Sequence, residues 1–124
     1  MKIIEIAFTG YPVTDIKRAR AFYEGTLKLE PSRTFGGGVN MFVEYDLGPG
    51  TFAIASMHGE DWKPSKDGPC LAFEVDNFDA AIADLQNQGI RFYLEPIDTP
   101  ACHMAIVSDP DGNSVTIHKR KENS

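Results

Sequence analysis

Few side chains in this sequence carry the chemistry of an active site, and their spacing sorts them. In "CHMAIVSDPDGNSVTIHK", residues 102–119, Ser114, Thr116 and His118 alternate with Val115 and Ile117. On an extended strand the first three share one face and the other two share the opposite one. An imidazole on such a face can move a proton near neutral pH or hydrogen-bond a ligand. In "CLAFEV", residues 70–75, the same alternation puts Cys70, Ala72 and Glu74 in one phase. A nucleophilic thiol needs a base nearby, and no Cys-His-Asn arrangement is evident from the spacing. A Cys within an apolar strand reads instead as a small buried hydrophobe. His58 falls in "SMHGEDWKPSKDG", which reads as a loop, so it is expected at the surface. His103 lies on a strand whose two registers are equally open.

The elements that must position these groups come in two sets. "IIEIAFT" (3–9) is a β-rich apolar run, and "YPV" leads to Asp15, an N-cap candidate. Ile16, Ala19, Phe22, Tyr23 and Leu27 then recur at helical spacing. Strand-like runs follow at about 31–36, 40–46 and 51–57, punctuated by "FGGG" and "GPG". The same order returns: a strand at 70–75, a cap at Asn77, and a helix with Phe78, Ala81, Ile82 and Leu85 on one face. Gly89 stands where a C-terminal glycine belongs, and further runs lie at 90–96, 102–108 and 113–119. The last two flank Asp109-Pro110-Asp111-Gly112, which has the chemistry of a hairpin turn. "VTDIKRARA" (13–21) overlies "VDNFDAAIA" (75–83) at an offset of 62. The expected fold is α+β. Two βαβββ modules, about 1–58 and 69–120 of one domain, form curved mixed sheets around a cup, with helices outside.

Composition narrows the partners. The chain has 124 residues and a net charge of −6, so no basic face is available to displace counterions, and nucleic acid is not an expected partner. The basic cluster "HKRKE" (118–122) reads as a solvated tail. No apolar run approaches the ~20 residues of a membrane helix, so no membrane partner is expected. "IIEIAF" is broken by Glu5 and does not read as a signal peptide. Two cysteines, Cys70 and Cys102, make no disulfide framework, and the expectation is a cytoplasmic protein with reduced thiols.

"VTDIKRARAFYEGTLKL", "CLAFEVDNFDAAIADLQNQG" and "SDPDGNSVTI" together resemble the vicinal oxygen chelate superfamily of glyoxalase I, extradiol dioxygenases and bleomycin-resistance proteins. The resemblance covers essentially the whole chain. It implies four metal-ligand positions, His or Glu, on the first and fourth strands of each module. Carried over one at a time, they fall on Phe8, Ala53, Cys70 and Thr116. The expected ligands are therefore missing, and neither a metal nor another cofactor is expected at that place. Metal-dependent glyoxalase I activity is accordingly not expected. Glu5, Glu74 and His118 are the donors left for a displaced metal site, although Glu5 is out of phase with Phe8. The resemblance also implies a homodimer.

What remains is a cup lined by Phe8, Ala53, Ala55, Cys70 and Ala72, with Glu74, Thr116 and His118 as polar points. Such a cavity suits a small, partly apolar or aromatic molecule held by a few directed hydrogen bonds, and it should accept a Phe at position 53. His118, roughly 6–7 Å along the strand from Thr116, belongs at the rim. The linker "GEDWKPSKDG" (59–68) holds the single Trp, packed on the surface or closing over the cup. Three functions stay open. One is a metal-independent small-molecule binder. Another is a lyase- or dioxygenase-type enzyme with a relocated metal or acid–base chemistry on Glu74 or His118. The third is a dimerisation or regulatory module without a ligand. Neither the catalytic residues nor the ligand can be named from the sequence.

Overall fold

Two N-caps 62 residues apart start the two helices. The Asp15 carboxylate accepts the backbone N–H of Arg18 at 3.1 Å, and the Asn77 side-chain oxygen accepts that of Ala80 at 3.0 Å. Each satisfies a donor that the first helical turn leaves without a partner. The structure, a computed structural model, describes residues 1–2, 4–56 and 62–122. It divides into two compact units, Met1–Pro64 and Ser65–Ser124.

The first unit runs β1 (Thr9–Pro12), α1 (Ile16–Arg20), β2 (Arg33–Gly37), β3 (Asn40–Leu47) and β4 (Gly50–Ala55). Its sheet has the order β1-β4-β3-β2, with β1 parallel to β4 and the other pairs antiparallel. The second unit repeats this as β5 (Leu71–Glu74), α2 (Phe78–Asn87), β6 (Phe92–Asp98), β7 (Cys102–Ser108) and β8 (Ser114–Arg120). Its order is β5-β8-β7-β6, again with one parallel pair. Each unit is thus a βαβββ module with a four-stranded mixed sheet, and the chain has an α+β fold.

One face of each sheet makes a core with its helix. In the first unit Tyr11, Tyr23 and Tyr45 surround Phe52, with ring centroids 5.4, 5.0 and 6.1 Å from it. Val13, Ile16, Val43 and Ile54 fill the gaps, all buried. Burying a side chain of this size contributes about 1.5–3 kcal/mol, and a ring pair of this geometry adds about 0.5–1.5 kcal/mol. The Tyr45 hydroxyl donates to Glu24 at 2.8 Å, and Glu24 also receives Arg20 Nε at 2.6 Å. Burial, with Glu24 beside it, raises the Tyr45 phenol well above its ordinary range. In the second unit Phe78, Ile82 and Leu85 of α2 are buried, as are Ala105, Val107, Val115 and Ile117 of the sheet.

The sequence misplaces some element ends. Of the apolar run expected as the first strand, residues 4–8 are not strand; the first strand is Thr9–Pro12, paired residue for residue with Phe52–Ala55. Tyr11 and Pro12 are strand, and Ile4 and Ile6 are 81% exposed. A strand exists only where a neighbour offers partners, and β4 offers them to Thr9–Pro12. Pro12 is tolerated because β1 is an edge strand and Pro12 ends it. The first helix is also less regular than its spacing implies. Past Arg20 it widens to a π-helical stretch, Ala21–Thr26, closed by the Leu27 N–H on the Phe22 carbonyl at 2.9 Å. Gly25 and Thr26, poor helix formers, lie in that stretch. Lys28, at φ 64°, then turns the chain as Gly89, at φ 71°, does after α2. Edge strand β6 carries two register shifts, between Phe92 and Leu94 and between Leu94 and Ile97, and Pro96 sits in the second.

Candidate functional site

The hairpin turn between β7 and β8 organises the second unit's open face. Asp109 is nearly fully buried. Its Oδ1 accepts the backbone N–H groups of Asp111 and Asn113, and its Oδ2 accepts the Asn113 amide, all at 2.9 Å. Gly112 takes φ 89°, which side-chain-bearing residues rarely adopt. The Tyr93 hydroxyl donates to its carbonyl at 2.9 Å. The strap leading into β5 is tied to the same turn. Ser65 N–H donates to Asn113 Oδ1 at 2.9 Å, and the Ser114 hydroxyl donates to the Lys66 carbonyl at 2.7 Å.

From this anchor β8 runs between β5 and β7. Thr116 lies opposite Ala72 and Ile106, and His118 lies opposite Glu74 and Met104. Directly opposed residues share a face, so these side chains stand on the side away from α2. The sequence expectation that Thr116 and His118 share a face holds. The Cys70 thiol and the Thr116 hydroxyl lie 2.9 Å apart, and Cys70 Sγ also donates to the Ser114 carbonyl at 3.5 Å. Cys70 and Ala72 are exposed, whereas Thr116 is buried. An exposed Cys70 departs from the small buried hydrophobe that its apolar strand implied, because β5 is an edge strand. Both cysteines, Cys70 and Cys102, are free thiols.

Glu74 and His118 form the polar pair of this face. Glu74 Oε1 lies 2.5 Å from His118 Nδ1, and Glu74 Oε2 accepts the backbone N–H of Arg120 at 2.7 Å. The Arg120 N–H, then His118, hold the Glu74 carboxyl below its ordinary range. His118 is half-buried rather than simply solvated. His103 faces the other way. It lies opposite Lys119 and stacks on Phe78 of α2, with centroids 5.6 Å apart.

The first unit's open face is aromatic. Ala53 lies opposite Gly10 and Glu44, Ala55 lies opposite Pro12 and Phe42, and Phe42 lies opposite Phe35. Phe8, just before β1, packs edge-on against Phe42 at 5.3 Å, and Phe35 lies 6.2 Å from Phe42. A Cβ at Gly10 would meet Phe8 Cε2 at 3.4 Å and Trp62 Cη2 at 3.5 Å, so both rings approach that glycine. Phe8, Phe35 and Trp62 remain 46%, 51% and 40% exposed. Ala53 and Ala55 are 0% and 1% exposed, which leaves no open space at the methyl of Ala53. Arg33 flanks this patch, but Glu44 takes its Nε at 2.6 Å and Asp46 takes its two terminal nitrogens at 3.0 and 2.6 Å.

Sequence reasoning missed Phe35 and Phe42. Phe42 alternates with Val43, which is also apolar, so strand β3 gave no signal of which face was open. Phe35 lies beside a glycine run that read only as a turn. Trp62 meets the patch of its own unit; His58 and residues 59–61 of the linker lie outside the described residues.

The residues at the implied metal positions do not fit a metal. Phe8 and Ala53 have no donor atom, and the thiol of Cys70 and the hydroxyl of Thr116 satisfy one another. Among the described residues no three His, Cys, Asp or Glu side chains cluster in the way a metal ion needs. Glu5, the third donor of the displaced alternative, is exposed and precedes β1.

Two βαβββ modules of one topology, each with a helix on one face of its sheet and the other face open, define the fold class. The chain belongs to the Glyoxalase/Bleomycin resistance protein/Dioxygenase superfamily, whose sequence profile matches residues 5–117. A glyoxalase family protein from Enterococcus faecalis is 25% identical, with a TM-score of 0.69 over 92% of this chain and 96% of that one. A superfamily member from Sphaerobacter thermophilus DSM 20745 is 25% identical, with a TM-score of 0.73 over 94% and 98%. TnmS3, an antibiotic binding protein from Streptomyces sp. CB03234, is 24% identical, with a TM-score of 0.74 over 98% and 99%. No curated protein matches the sequence. No helix among the described residues is long and apolar enough to cross a membrane.

Proposed function

We propose that this chain binds a small, partly aromatic molecule on an open face of one of its sheets, without a metal at the ligand positions that the family resemblance implies. One observation carries the reading. The first unit exposes three aromatic rings on the sheet face away from its helix, Phe8 and Phe35 against Phe42 and Trp62 beside Gly10. Exposed rings in one patch are costly unless they meet something apolar, and planar rings suit an aromatic ligand by stacking. The superfamily membership and the fold shared with an antibiotic binding protein support the same reading. The second unit's open face carries polar groups of its own, Cys70, Glu74, Thr116 and His118, beside Ala72, and these offer hydrogen bonds to a ligand on that face. A cytoplasmic homodimer belongs to this proposal, and sedimentation of the purified chain tests the dimer.

Trp62 is the single tryptophan, so its fluorescence reports directly. A panel of aromatic compounds, including aromatic antibiotics, should contain members that quench it saturably. Each should raise the melting temperature, since a ligand at a hundred times its Kd adds about 2.7 kcal/mol. Phe42→Ala should weaken those members without unfolding the chain. A panel with no saturable quencher would sink the proposal. Elemental analysis after purification without chelator should find no stoichiometric divalent metal.

The Glu74–His118 pair favours a second reading, an enzyme using acid–base chemistry without a metal. A carboxylate bonded to an imidazole is an arrangement that moves protons. Turnover of any bound compound, abolished in His118→Ala, would favour it over simple binding.

A further inference from the structure

We propose that Glu74 is a positioning residue that fixes His118 as the Nδ1–H form, leaving Nε2 to accept the proton of an acidic hydroxyl, a phenol or an enol, on the bound ligand. This rests on the reading of the second unit's open face as a ligand surface and names the ligand chemistry that face selects.

The geometry settles where the ring proton sits. An ionised carboxylate has only acceptor atoms, so the 2.5 Å contact between Glu74 Oε1 and His118 Nδ1 requires the hydrogen on Nδ1. In the neutral ring Nε2 then carries the lone pair. The carboxylate is itself held, because its other oxygen takes the Arg120 N–H at 2.7 Å. That N–H belongs to the strand carrying His118, and β5 pairs with that strand at Glu74. The orienting group is therefore built into the parallel ladder.

The neighbours leave Nε2 available. Met104 stands opposite His118 from β7 and is neither a strong donor nor a strong acceptor. Arg120, the next residue in phase along β8, lies opposite Cys102. In the other direction the Thr116 hydroxyl is engaged with Cys70 at 2.9 Å. Among the described residues, Glu74 is the polar side-chain partner of the ring. His118 is thus the basic group on this face that can meet a ligand hydroxyl. The step balances within the pair. The ligand O–H bond breaks and its electrons stay on oxygen. The proton bonds to Nε2, giving an imidazolium beside the Glu74 carboxylate and a phenolate or enolate facing it.

Two measurements test this. The first needs no ligand. Nitrogen-15 spectra of the imidazoles, recorded at a pH where the ring is neutral, should show His118 Nε2 as the unprotonated nitrogen. In Glu74→Val the signal should move toward the Nε2–H form. An Nε2–H ring in the wild-type protein overturns the positioning role. The second uses 4-nitrophenol, whose visible absorption reports its ionisation, and 4-nitroanisole, which lacks the hydroxyl. The wild-type chain should bind 4-nitrophenol about tenfold more tightly and increase its phenolate absorption. His118→Phe should remove that difference. Equal affinities in the wild-type chain overturn the acceptor role and leave the second unit's open face standing as a ligand surface. Binding of neither probe overturns the surface reading and the acceptor role with it, while the nitrogen spectra still decide what Glu74 does.

Discussion

The thiol of Cys70 and the hydroxyl of Thr116 stand 2.9 Å apart, a hydrogen bond between the two second-unit positions to which the family resemblance assigns metal ligands. A contact of that kind replaces coordination with a neutral bond between two side chains. Thr116 is 5% exposed. Thr116→Val keeps the shape and removes the hydroxyl, while the thiol keeps the Ser114 carbonyl as an acceptor. The expected cost is about 0.5–1.5 kcal/mol, read as a shift in denaturant midpoint. A loss several times larger would mean that the hydroxyl holds more than this pair.

Glu74 makes stability depend on pH, with a definite sign. The backbone N–H of Arg120 and the imidazole of His118 favour its ionised form, so its folded value lies below the ordinary 4.5. A depressed carboxyl contributes stability above its unfolded value and loses it as pH falls through the folded value. The stability gap between wild type and Glu74→Gln should therefore be full at neutral pH and narrow below about pH 4.5. A gap that widened on acidification would contradict the assignment.

Tyr45 is fully buried, and its hydroxyl serves the Glu24 carboxylate. Tyr45→Phe leaves the ring against Phe52 and removes the donor to a partly buried charge that also holds Arg20. Hydrogen bonds to charged groups are worth about 1.5–3 kcal/mol, and a loss of that order is expected in chemical denaturation. A neutral result would show that water replaces the hydroxyl at no cost.

Ala53→Phe reverses an expectation drawn from the sequence. A cavity over Ala53 would accept the ring, but that residue is 0% exposed between Gly10 and Glu44. Overpacking of this kind costs about 1–3 kcal/mol, so a clear fall in melting temperature is expected. Phe8→Ala, which removes a ring that is 46% exposed, should cost less.

The repeat was legible because it is written locally. Asp15 and Asn77 cap their helices from the side chain, and the alternation of Ser114, Thr116 and His118 fixes their common face whatever they pack against. The lack of donors at Phe8 and Ala53 is likewise a property of residue type alone. Other features depend on partners far along the chain, and no local pattern encodes them. Which four residues near the N-terminus become a strand was decided by β4, some 43 residues later, which paired Thr9–Pro12 and left Ile4 and Ile6 exposed. That His103 faces the helix was decided by its register with Lys119 and its stacking on Phe78. Sequence placed Glu74 in phase with Cys70, and His118 in phase with Thr116. Only the parallel pairing of β5 with β8 set the carboxylate on the imidazole, because a strand's own periodicity fixes the face of each side chain but not the residue that meets it across the ladder.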